Sequence, residues 1–556
     1  MNTPHMHLTA DPEATAPSVT PDSGETQVHT ADVAIVGYGP VGALLALLLA
    51  QKGHNVIAVD RWLEPYKLPR AVTFDHEIAR ILSMLGIDSD DDSAIERHPE
   101  VYYWKNAEGK TLLEVDWGGE AASGWAVRYW FYQPELEARL RAMADAQEHA
   151  QLLRGVQVDT LEQDADGVVI AGVQTLEDGR HHPVEVHAKY VVGADGANSF
   201  VRQALGLEFA DQGYFFDWLI LDMVPHTARV WEPTHWQLCD PQRPTTIVPG
   251  GPGRRRWEFM VLPGEAPSQL ASPESAWKLL EPWDVTPENA TLERSAVYRF
   301  QARCAAEWRK GRGLIAGDAA HLMPPFAGEG MCAGVRDSVA LAWRLDLVLR
   351  GLADDSLLDS YGTERSAHVQ HYIDFSVDLG KIICIADPDE AAARDARMIA
   401  EMENYDGTPV NTDIGVLGAP GVWVEGDAHA GELAVQGVVE SDGHRGRFDD
   451  VVGRGWILFG RHDDPSAHLT ADQLEQLARL DARFVHLGAL GSGAAVVDAE
   501  GTFERWLDAL GVDYVLVRPD FYVAATATDA DHLRRSVDSV LESLHLNPAL
   551  AGATTP

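Results

Sequence analysis

The sequence predicts a mixed α/β and α+β protein with three parts: a Rossmann-type nucleotide-binding domain, an inserted substrate domain built on a mainly antiparallel sheet, and a C-terminal thioredoxin-like domain. Three observations predict this. A glycine-rich turn joins a β-branched strand to an apolar helix near residue 40, and two later apolar strands end in acidic turns near residues 195 and 318. After residue 430, strands alternate with helices. With 556 residues, the chain is long enough for two or three domains.

The first nucleotide-binding element is the turn at residues 37–42 (GYGPVG). Residues 32–36 (DVAIV) are of strand type, and residues 41–50 (VGALLALLLA) favour a helix. A glycine-rich turn between them lets the backbone approach a pyrophosphate at the positive end of the helix. The next strand, residues 55–60 (NVIAVD), ends about twenty residues downstream in an acid that can accept hydrogen bonds from ribose hydroxyls. The predicted contacts are Gly37, Gly39, Pro40, Val41, Gly42, Asp60 and Arg61.

Two later strands decide between a nicotinamide and a flavin dinucleotide. Residues 190–196 (YVVGADG) run into an Asp-Gly turn, and residues 313–318 (GLIAGD) end on an acid. An aspartate at a strand end can accept hydrogen bonds from ribityl hydroxyls, which NAD lacks. The helix that follows residue 330 points its first N–H groups at the flavin edge where negative charge collects on reduction. The predicted cofactor is therefore FAD, with contacts from Asp195, Gly196, Gly317 and Asp318.

With these three turns in this order, the chain resembles the single-component FAD-dependent aromatic-ring hydroxylases, of the para-hydroxybenzoate and phenol hydroxylase type. Within that family the likeness is greatest to the 3-(3-hydroxyphenyl)propionate hydroxylases, and it extends over residues 30 to 545. The stretches that carry it are residues 69–71 (PRA), 131–136 (FYQPEL), 256–265 (RWEFMVLPGE), 316–324 (AGDAAHLMP), 334–337 (GVRD), 358–365 (LDSYGTER) and 518–525 (RPDFYVAA).

The resemblance implies an enzyme, an FAD-dependent NAD(P)H:oxygen oxidoreductase of aromatic catabolism. Such a monooxygenase hydroxylates a phenol ortho to its hydroxyl through a C4a-hydroperoxyflavin, with NADH or NADPH and O2 as co-substrates. The expected substrate is 3-(3-hydroxyphenyl)propionate or a related hydroxylated phenylpropanoid, and the product is the catechol. Because the pKa of a phenol is about 10, a polar group must take its proton or hydrogen-bond the anion. Two alternatives stay open: an aromatic polyketide hydroxylase of antibiotic tailoring, and an FAD protein that does not activate oxygen.

The resemblance also suggests cofactor contacts outside the three turns. Arg70 and Gln133 match family positions that contact FAD. The loop at residues 324–330 matches the one that lies against the isoalloxazine ring. Relatives often carry Trp-Gln-Gly-Gln-Gly where this chain has residues 326–330 (FAGEG), so the glycines persist while the shape of the pocket changes. The predicted contacts of this loop are Pro325, Gly328, Gly330 and Met331.

Three residues are candidates for handling the substrate. Asp75 and His76 follow the Arg70 segment, which makes them candidate phenol-binding, catalytic groups. The alternative for this pair is a helix cap by Asp75 with a solvated His76. Arg256 is the candidate anchor for a substrate carboxylate, because arginine offers a planar fork for bidentate binding. Strand alternation places Glu258 on the same face as Arg256, whereas Arg254 and Arg255 are expected as surface charges of a hairpin.

Composition limits the partners and the compartment. The formal net charge of −41 makes nucleic acid or an anionic membrane an unsuitable partner. The four cysteines show no CxxC spacing and the histidines form no ligand set, so no disulfide framework and no metal site are expected. No signal-peptide pattern and no apolar run of membrane-spanning length is present, which predicts a cytoplasmic protein. The expected partners are a small phenolic substrate and a second copy of the chain in a homodimer.

Composition shifts also set the expected domain boundaries. Residues 1–30 lack periodicity and are expected to form a disordered tail. The FAD-binding domain is expected at residues 31–205 and 295–380, with part of the substrate sheet inserted near 100–130, and the rest of that sheet at 206–294. A linker or meander is expected at 381–430. Residues 431–548 are expected to form the thioredoxin-like domain, without a redox dithiol because no cysteine lies beyond Cys384.

Overall fold

The computed structural model describes residues 25–97, 100–404, 415–489, 491 and 493–548. The chain divides into two compact units. The first comprises Met1–Tyr66, Leu140–Phe209 and Ala305–Leu322, and the second comprises Lys67–Arg139, Ala210–Cys304 and Met323–Pro556. Most of the predicted N-terminal tail, residues 1–24, lies outside the described residues. The remainder of that prediction is wrong from Gln27 onward, where the first strand begins.

The first unit is built on a parallel sheet. The order across it is Gly313–Ile315, His181–Gly193, Gln27–Val36, Val56–Asp60 and Ala150–Arg154. Gln27–Val36 is central, with Val36 paired to Gly193 on one side and to Val59 on the other. Because the strands are parallel, their carboxyl ends lie at one edge, where the three acidic or glycine-rich turns begin.

Shorter elements complete the first unit. Strand Val168–Thr175 pairs antiparallel with His181–Gly193, and Val156–Gln163 pairs antiparallel with Val168–Thr175. Arg309–Lys310 pairs with Gly313–Ile315. The helices are Pro40–Gln51 and Phe200–Ala204, with the short 3-10 turn Gly317–Ala319. Eight of the twelve residues of Pro40–Gln51 are buried and all but Gln51 are apolar or glycine, so this helix packs as part of the core. The predicted Rossmann-type domain is confirmed.

The second unit contains a mainly antiparallel sheet, as predicted. The order across it is Ala290–Ala305, Phe209–Pro225, Arg255–Met260, Thr245–Pro249, Trp236–Cys239, Val101–Asn106 and Thr111–Asp116. One face carries Trp257 and Phe259, which pack with Leu280 of helix Pro273–Leu280. The other, which we call the inner face, carries Trp104, Trp218 and Met260 and packs against Phe326. The period-two alternation of each strand separates the two faces.

Several elements frame this sheet within the second unit. A small sheet pairs Thr73–Asp75 and Ile95–Arg97 with Arg128–Phe131. The helices before the C-terminal domain are His76–Met84, Gln133–Asp145, Pro267–Leu270, Pro273–Leu280, Gly330–Leu349, Asp359–Ile383 and Pro388–Glu403. The 3-10 turns are Glu281–Trp283, Pro325–Ala327 and Asp355–Leu358.

Two predicted boundaries need correction. The interval 381–430 contains the helix Pro388–Glu403, because Asp387 accepts hydrogen bonds from Asp389 N and Glu390 N and so caps it. The boundary at residue 295 cuts through the strand Ala290–Ala305, most of which belongs to the antiparallel sheet. A continuous strand leaves no break in composition at which a boundary could be detected.

The C-terminal region forms its own sheet. The order across it is His444–Arg447, Val438–Ser441, Val496–Asp498, Arg483–Gly488, Ile457–Gly460, Tyr514–Val517 and Val523–Ala527. Ile457–Gly460 and Arg483–Gly488 are parallel and joined through helix Ala471–Arg479, whereas the last two strands form a hairpin followed by helix Ala530–Ser543. The remaining short helices are Phe448–Val451, Pro465–His468 and Thr502–Leu510. This order of strands and helices is the predicted thioredoxin-like fold.

Buried polar contacts attach the C-terminal domain to the rest of the second unit. Arg80 donates to both carboxylate oxygens of Asp449, at 2.8 Å and 2.9 Å. The Tyr522 hydroxyl donates to the carboxylate of Glu77, 2.9 Å from one oxygen. No helix among the described residues is long and apolar enough to cross a membrane.

Candidate active site

The turn after the first strand is shaped to receive a pyrophosphate. Gly37 has φ +99°, and a Cβ added there would lie 2.3 Å from the carbonyl oxygen of Ala194, so that only glycine fits. A Cβ on Gly42 would lie 2.1 Å from Gly37 O, which keeps the turn close to its helix. An added Cβ on Gly39 meets nothing within 4 Å, and this residue begins the helix without a side-chain cap. The open space thus faces the positive end of the helix dipole.

Asp60 lies at the end of the neighbouring strand. Its carboxylate accepts hydrogen bonds from Tyr38 N at 3.1 Å and from Trp62 N at 2.9 Å. These bonds hold the carboxylate against the glycine-rich turn and leave further lone pairs for ribose hydroxyls. Arg61 is exposed, with its guanidinium 5.0 Å from the Trp62 ring centroid.

The Asp-Gly turn has a structural role in the first unit. One Asp195 oxygen accepts a hydrogen bond from Ser199 Oγ at 2.5 Å, and the other accepts one from Val201 N at 3.1 Å. Burial raises the pKa of Asp195. Gly196 has φ +83°, the left-handed conformation that favours glycine. The carboxylate therefore stabilises the turn that packs against Gly37. With both oxygens engaged, contacts of this turn with FAD are made mainly by its backbone.

The Gly-Asp turn completes this group. Gly317 has φ +60°, and a Cβ added there would lie 3.0 Å from Cγ2 of Val41. Asp318 is exposed, and among the described residues no hydrogen bond or ion pair engages its carboxylate. The first unit thus brings together all three turns, with a cradle at Gly39 and an open carboxylate at Asp318. These residues fit FAD.

Arg70 and Gln133 lie together in the second unit. Gln133 Oε1 accepts hydrogen bonds from Arg70 N and Ala71 N, both at 2.7 Å, and its amide donates to Glu137 at 2.5 Å. The Gln133 side chain therefore positions the backbone at residues 70–71, while the Arg70 side chain is exposed.

Arg256 is not an available carboxylate anchor, and that prediction is wrong. Its side chain is 1% exposed, and Nε donates to Asp222 at 2.6 Å. The remaining donors reach the carbonyl oxygens of Arg70 and Pro69, each at 2.7 Å. A guanidinium with all these partners has no fork left for a ligand. Arg255 is likewise not the expected surface charge, since it is buried on the opposite face near Trp231.

Asp75 belongs to a buried charge network. It caps the helix His76–Met84 by accepting hydrogen bonds from Glu77 N and Ile78 N, as the alternative interpretation expected. Its other oxygen binds Arg336, which also donates to Glu77 at 2.6 Å. The Arg336 charge helps to hold the pKa of Asp75 below its ordinary value despite burial. A carboxylate bound in this way is a poor proton acceptor, so the structure argues against a catalytic Asp75.

His76 is not solvated as that alternative expected. It is partly buried, and its Nδ1 is shielded from solvent without a hydrogen-bond partner among the described residues. Burial lowers the pKa of His76 to about 4, which keeps the ring neutral at pH 7. His76 therefore stays a candidate for binding the substrate.

The loop before helix Gly330–Leu349 is anchored to the same network. Glu329 lies 2.5 Å from Arg128 and 3.2 Å from Arg336. Gly328 has φ +70°, and a Cβ there would lie 2.5 Å from Cγ2 of Thr73. Of the other predicted loop contacts, Pro325 begins a 3-10 turn, Gly330 starts the helix, and Met331 is partly exposed. Sequence reasoning missed Arg336, whose pairing with three carboxylates depends on distant segments.

The network also explains the one cluster with metal-ligand chemistry among the described residues. Asp75, Glu329 and Cys332 offer ligand atoms within 4.8 Å of one another. Arg336 already balances both carboxylates, and burial raises the pKa of the Cys332 thiol, which disfavours the thiolate a metal needs. The cluster is therefore better described as ion pairs than as a metal site.

Comparison with known proteins agrees with the class that the fold and turns define, an FAD-binding flavoprotein. A family model described as "FAD binding domain" matches residues 30–376, and one described as "HcaD C-terminal domain" matches residues 431–543. A Rhodococcus jostii (strain RHA1) protein described as "Probable NADH-specific resorcinol 4-hydroxylase" is 34% identical over 90% of this chain and 93% of its own length. A 3-(3-hydroxy-phenyl)propionate/3-hydroxycinnamic acid hydroxylase of Comamonas testosteroni is 30% identical over 94% of this chain and 99% of its own length. The chain belongs to the FAD-dependent aromatic hydroxylases.

Solved structures share the fold over nearly the whole chain. Aklavinone-11 hydroxylase, in a ternary complex with FAD and aklavinone, has a TM-score of 0.72 at 25% identity and covers 92% of this chain and 99% of its own. The flavin-dependent monooxygenase PieE, in complex with FAD and substrate, has a TM-score of 0.75 at 22% identity and covers 95% of this chain and 100% of its own.

Proposed function

We propose that this enzyme uses NADH and O2 to hydroxylate a small phenol ortho to its hydroxyl group, in aromatic catabolism. The observation that carries the proposal is the convergence of the three turns around an open carboxylate, Asp318, in a chain of this family. The substrates in the names of the Rhodococcus and Comamonas relatives, resorcinol and 3-(3-hydroxyphenyl)propionate, are both small phenols.

The residues of the first unit account for cofactor binding. The cradle at Gly39 and the helix N-terminus bind the pyrophosphate, Asp60 accepts ribose hydroxyls, and Asp318 accepts hydroxyls of the ribityl chain. FAD held by these residues would supply the redox chemistry through which NADH reduces O2 and one oxygen atom enters the ring. The protein supplies orientation and shelter from water, for which the apolar residues of the inner face, among them Trp104, Trp218 and Met260, are suited.

The predicted substrate, 3-(3-hydroxyphenyl)propionate, and resorcinol differ in charge. The carboxylate of a bound substrate needs a cationic partner in the site. Arg256 and Arg294 of the inner face are both already paired with Asp222. This pairing favours a neutral phenol such as resorcinol as a second candidate. A carboxylated substrate would need an anchor other than Arg256.

The test is turnover of a panel of phenols by the purified, FAD-loaded protein under air. Resorcinol, 3-(3-hydroxyphenyl)propionate and the bulkier aklavinone are supplied with NADH or NADPH, and 3-phenylpropionate serves as the control without a hydroxyl. We expect NADH consumption and a product that has gained one oxygen, by mass spectrometry, with at least one of the two small phenols. Hydrogen peroxide without a hydroxylated product, or no NADH consumption with any phenol, would contradict the proposal.

A cytoplasmic location and a homodimer, both expected from the sequence analysis, complete the proposal. Size-exclusion chromatography with light scattering tests the dimer, and cell fractionation tests the location.

A further inference from the structure

Glu258 differs from every other buried carboxylate among the described residues. The residue is only 5% exposed, yet its carboxylate accepts no hydrogen bond from any described residue. Its one ion pair, with Arg256 Nη1, is long at 3.7 Å, because that guanidinium is bound to Asp222 at 2.6 Å. The others are bound to arginines, amides or backbone N–H groups; they are Asp75, Glu77, Glu137, Asp222, Glu329, Asp337, Asp346, Glu364, Asp449, Asp498 and Asp520.

A carboxylate with so few protein partners depends on solvent or a ligand for its remaining hydrogen bonds, so such a group calls for an explanation. Burial raises the pKa of Glu258 above its ordinary value, although the nearby Arg256 charge acts in the opposite direction. A carboxylate with a raised pKa can take a proton from a weak acid more readily than an ordinary one. Perturbed carboxylates of this kind concentrate at functional sites.

The register of the sheet places Glu258 in a row of polar side chains. Glu258 pairs with Thr246 on the next strand, and Thr246 pairs with Gln237. The Thr246 hydroxyl donates to Gln237 Oε1 at 2.5 Å, and Gln237 Nε2 donates to the Tyr102 hydroxyl oxygen at 2.5 Å. The row crosses the inner face, since its neighbours along the strands are Met260, Val248, Cys239 and Trp104.

The chain of hydrogen bonds leaves one donor available. Because the Tyr102 oxygen accepts from Gln237, its own hydrogen is free to be donated to a further acceptor, and no described residue takes it. Burial, followed by the negative charge of Glu258, raises the pKa of Tyr102, so this hydrogen stays in place at neutral pH. Glu258, an acceptor, and Tyr102, a donor, thus lie at the two ends of one polar row on this aromatic-rich face.

We propose that Glu258 is the proton acceptor for the substrate phenol, with Tyr102 donating a hydrogen bond to the resulting phenolate. The phenolic O–H bond breaks, its proton goes to a carboxylate oxygen of Glu258, and its electron pair remains on the phenolate oxygen. The negative charge moves from the carboxylate to the ring, which becomes electron-rich and ready for oxygen insertion. This assignment rests on the proposed function.

The kinetic test compares the wild type with Glu258→Gln, Glu258→Asp and a control, Glu114→Gln. Glu114 is a half-buried residue of the same sheet opposite Tyr103, on the other face. With the phenol that the wild type turns over, we expect Glu258→Gln to lower kcat about 100-fold or more at pH 7. The loss should shrink as pH rises toward the phenol pKa of about 10, because water then supplies the phenolate. Glu258→Asp should recover part of the rate, and Glu114→Gln should match the wild type.

The groups that face Glu258 keep the pH profile interpretable. They are Arg256 on its own strand, Asp222 and Arg294 on neighbouring strands, and Tyr102 across the sheet. Arg256 stays charged, because the neighbouring Asp222 raises its pKa despite burial, and Tyr102 stays protonated because burial raises its pKa. A rise in the wild-type rate that Glu258→Gln removes therefore reports the carboxylate of Glu258.

A binding measurement separates this inference from the proposed function. 4-Nitrophenol absorbs visible light only as its anion, so a spectrum of the FAD-loaded protein with and without it, below its solution pKa, shows the state of the bound phenol. We expect the wild type to bind it as the phenolate and Glu258→Gln to bind it as the neutral phenol. A wild type that binds the neutral form, or a Glu258→Gln variant that keeps both the bound phenolate and the wild-type pH profile, overturns the assignment. A wild type that oxidises no NADH with any phenol overturns the proposed function instead.

Discussion

The guanidinium of Arg256 binds the carboxylate of Asp222 at 2.6 Å and 3.2 Å, and its other donors reach the main chain at residues 69 and 70. From the opposite side, Gln133 accepts hydrogen bonds from the N–H groups of Arg70 and Ala71. The segment that carries Arg70 is thus held by buried side chains. The role of Arg256 is to build the site rather than to bind a substrate.

Arg256→Ala should therefore destabilise the protein. Removal of one partner of a buried ion pair leaves the other charge uncompensated, at a cost of about 3–5 kcal/mol in the free energy of unfolding. Denaturant or thermal unfolding measures it. The matched control is Arg299→Ala, which breaks the largely exposed pair with Asp217 and should cost less than about 1 kcal/mol. An Arg256→Ala variant of wild-type stability that loses affinity only for carboxylated phenols would restore the anchor role.

Asp318→Ala should yield a folded protein with little FAD. The exposed carboxylate makes no hydrogen bond or ion pair within the described protein, so its removal should weaken FAD binding without lowering stability. The flavin-to-protein absorbance ratio of the purified variant measures retention, and far-UV circular dichroism checks the fold. Asp178→Ala, in an exposed turn of the same unit, should keep its full yellow colour. Full flavin content in Asp318→Ala would show that Asp318 does not contribute to FAD binding.

Two glycine substitutions in the first turn should separate folding from binding. Gly37→Ala places a Cβ 2.3 Å from Ala194 O at φ +99°, so the FAD-free protein should lose stability and bind FAD poorly. At Gly39, where φ is −73° and the space is open, alanine is tolerated by the backbone but projects into the cradle. Gly39→Ala should keep the Tm of the FAD-free protein and weaken FAD binding. Equal effects of the two changes on that Tm would refute the assignment of the cradle.

Glu258→Gln should stabilise the protein at neutral pH while it lowers activity. The folded-state pKa of Glu258 is raised above its unfolded value of about 4.3, so the ionised form opposes folding. The stability that the protonated carboxyl contributes is fully present below about pH 4.3 and is lost as pH rises through the folded-state pKa. The variant should therefore unfold at a higher temperature than the wild type at pH 8, and the difference should shrink toward pH 4. A constant difference in Tm would show that Glu258 ionises freely in the folded protein.

Much of the fold and of the nucleotide site could be predicted from local pattern. The β-branched strand, glycine turn and apolar helix at residues 32–50 depend on neighbours in sequence, as does the Asp-Gly turn at residue 195. Gly37 and Gly317 are required by local backbone geometry, since both have a positive φ and an added Cβ would meet Ala194 O or Val41. The alternation of residues 255–260 likewise placed Glu258 and Arg256 on one face before the partners of either were known.

Sequence alone thus determined the class of fold, the cofactor and the position of each turn, because short-range periodicity and glycine geometry decide them. Only the tertiary structure decided which charges are free. Arg256 pairs with Asp222 on the neighbouring strand, and Asp75 pairs with Arg336 of a distant helix. Glu258 accepts no hydrogen bond from the residues that the structure describes. The energy of a buried charge depends on the atoms around it in space, and those atoms come from segments whose separation in sequence carries no information about their distance.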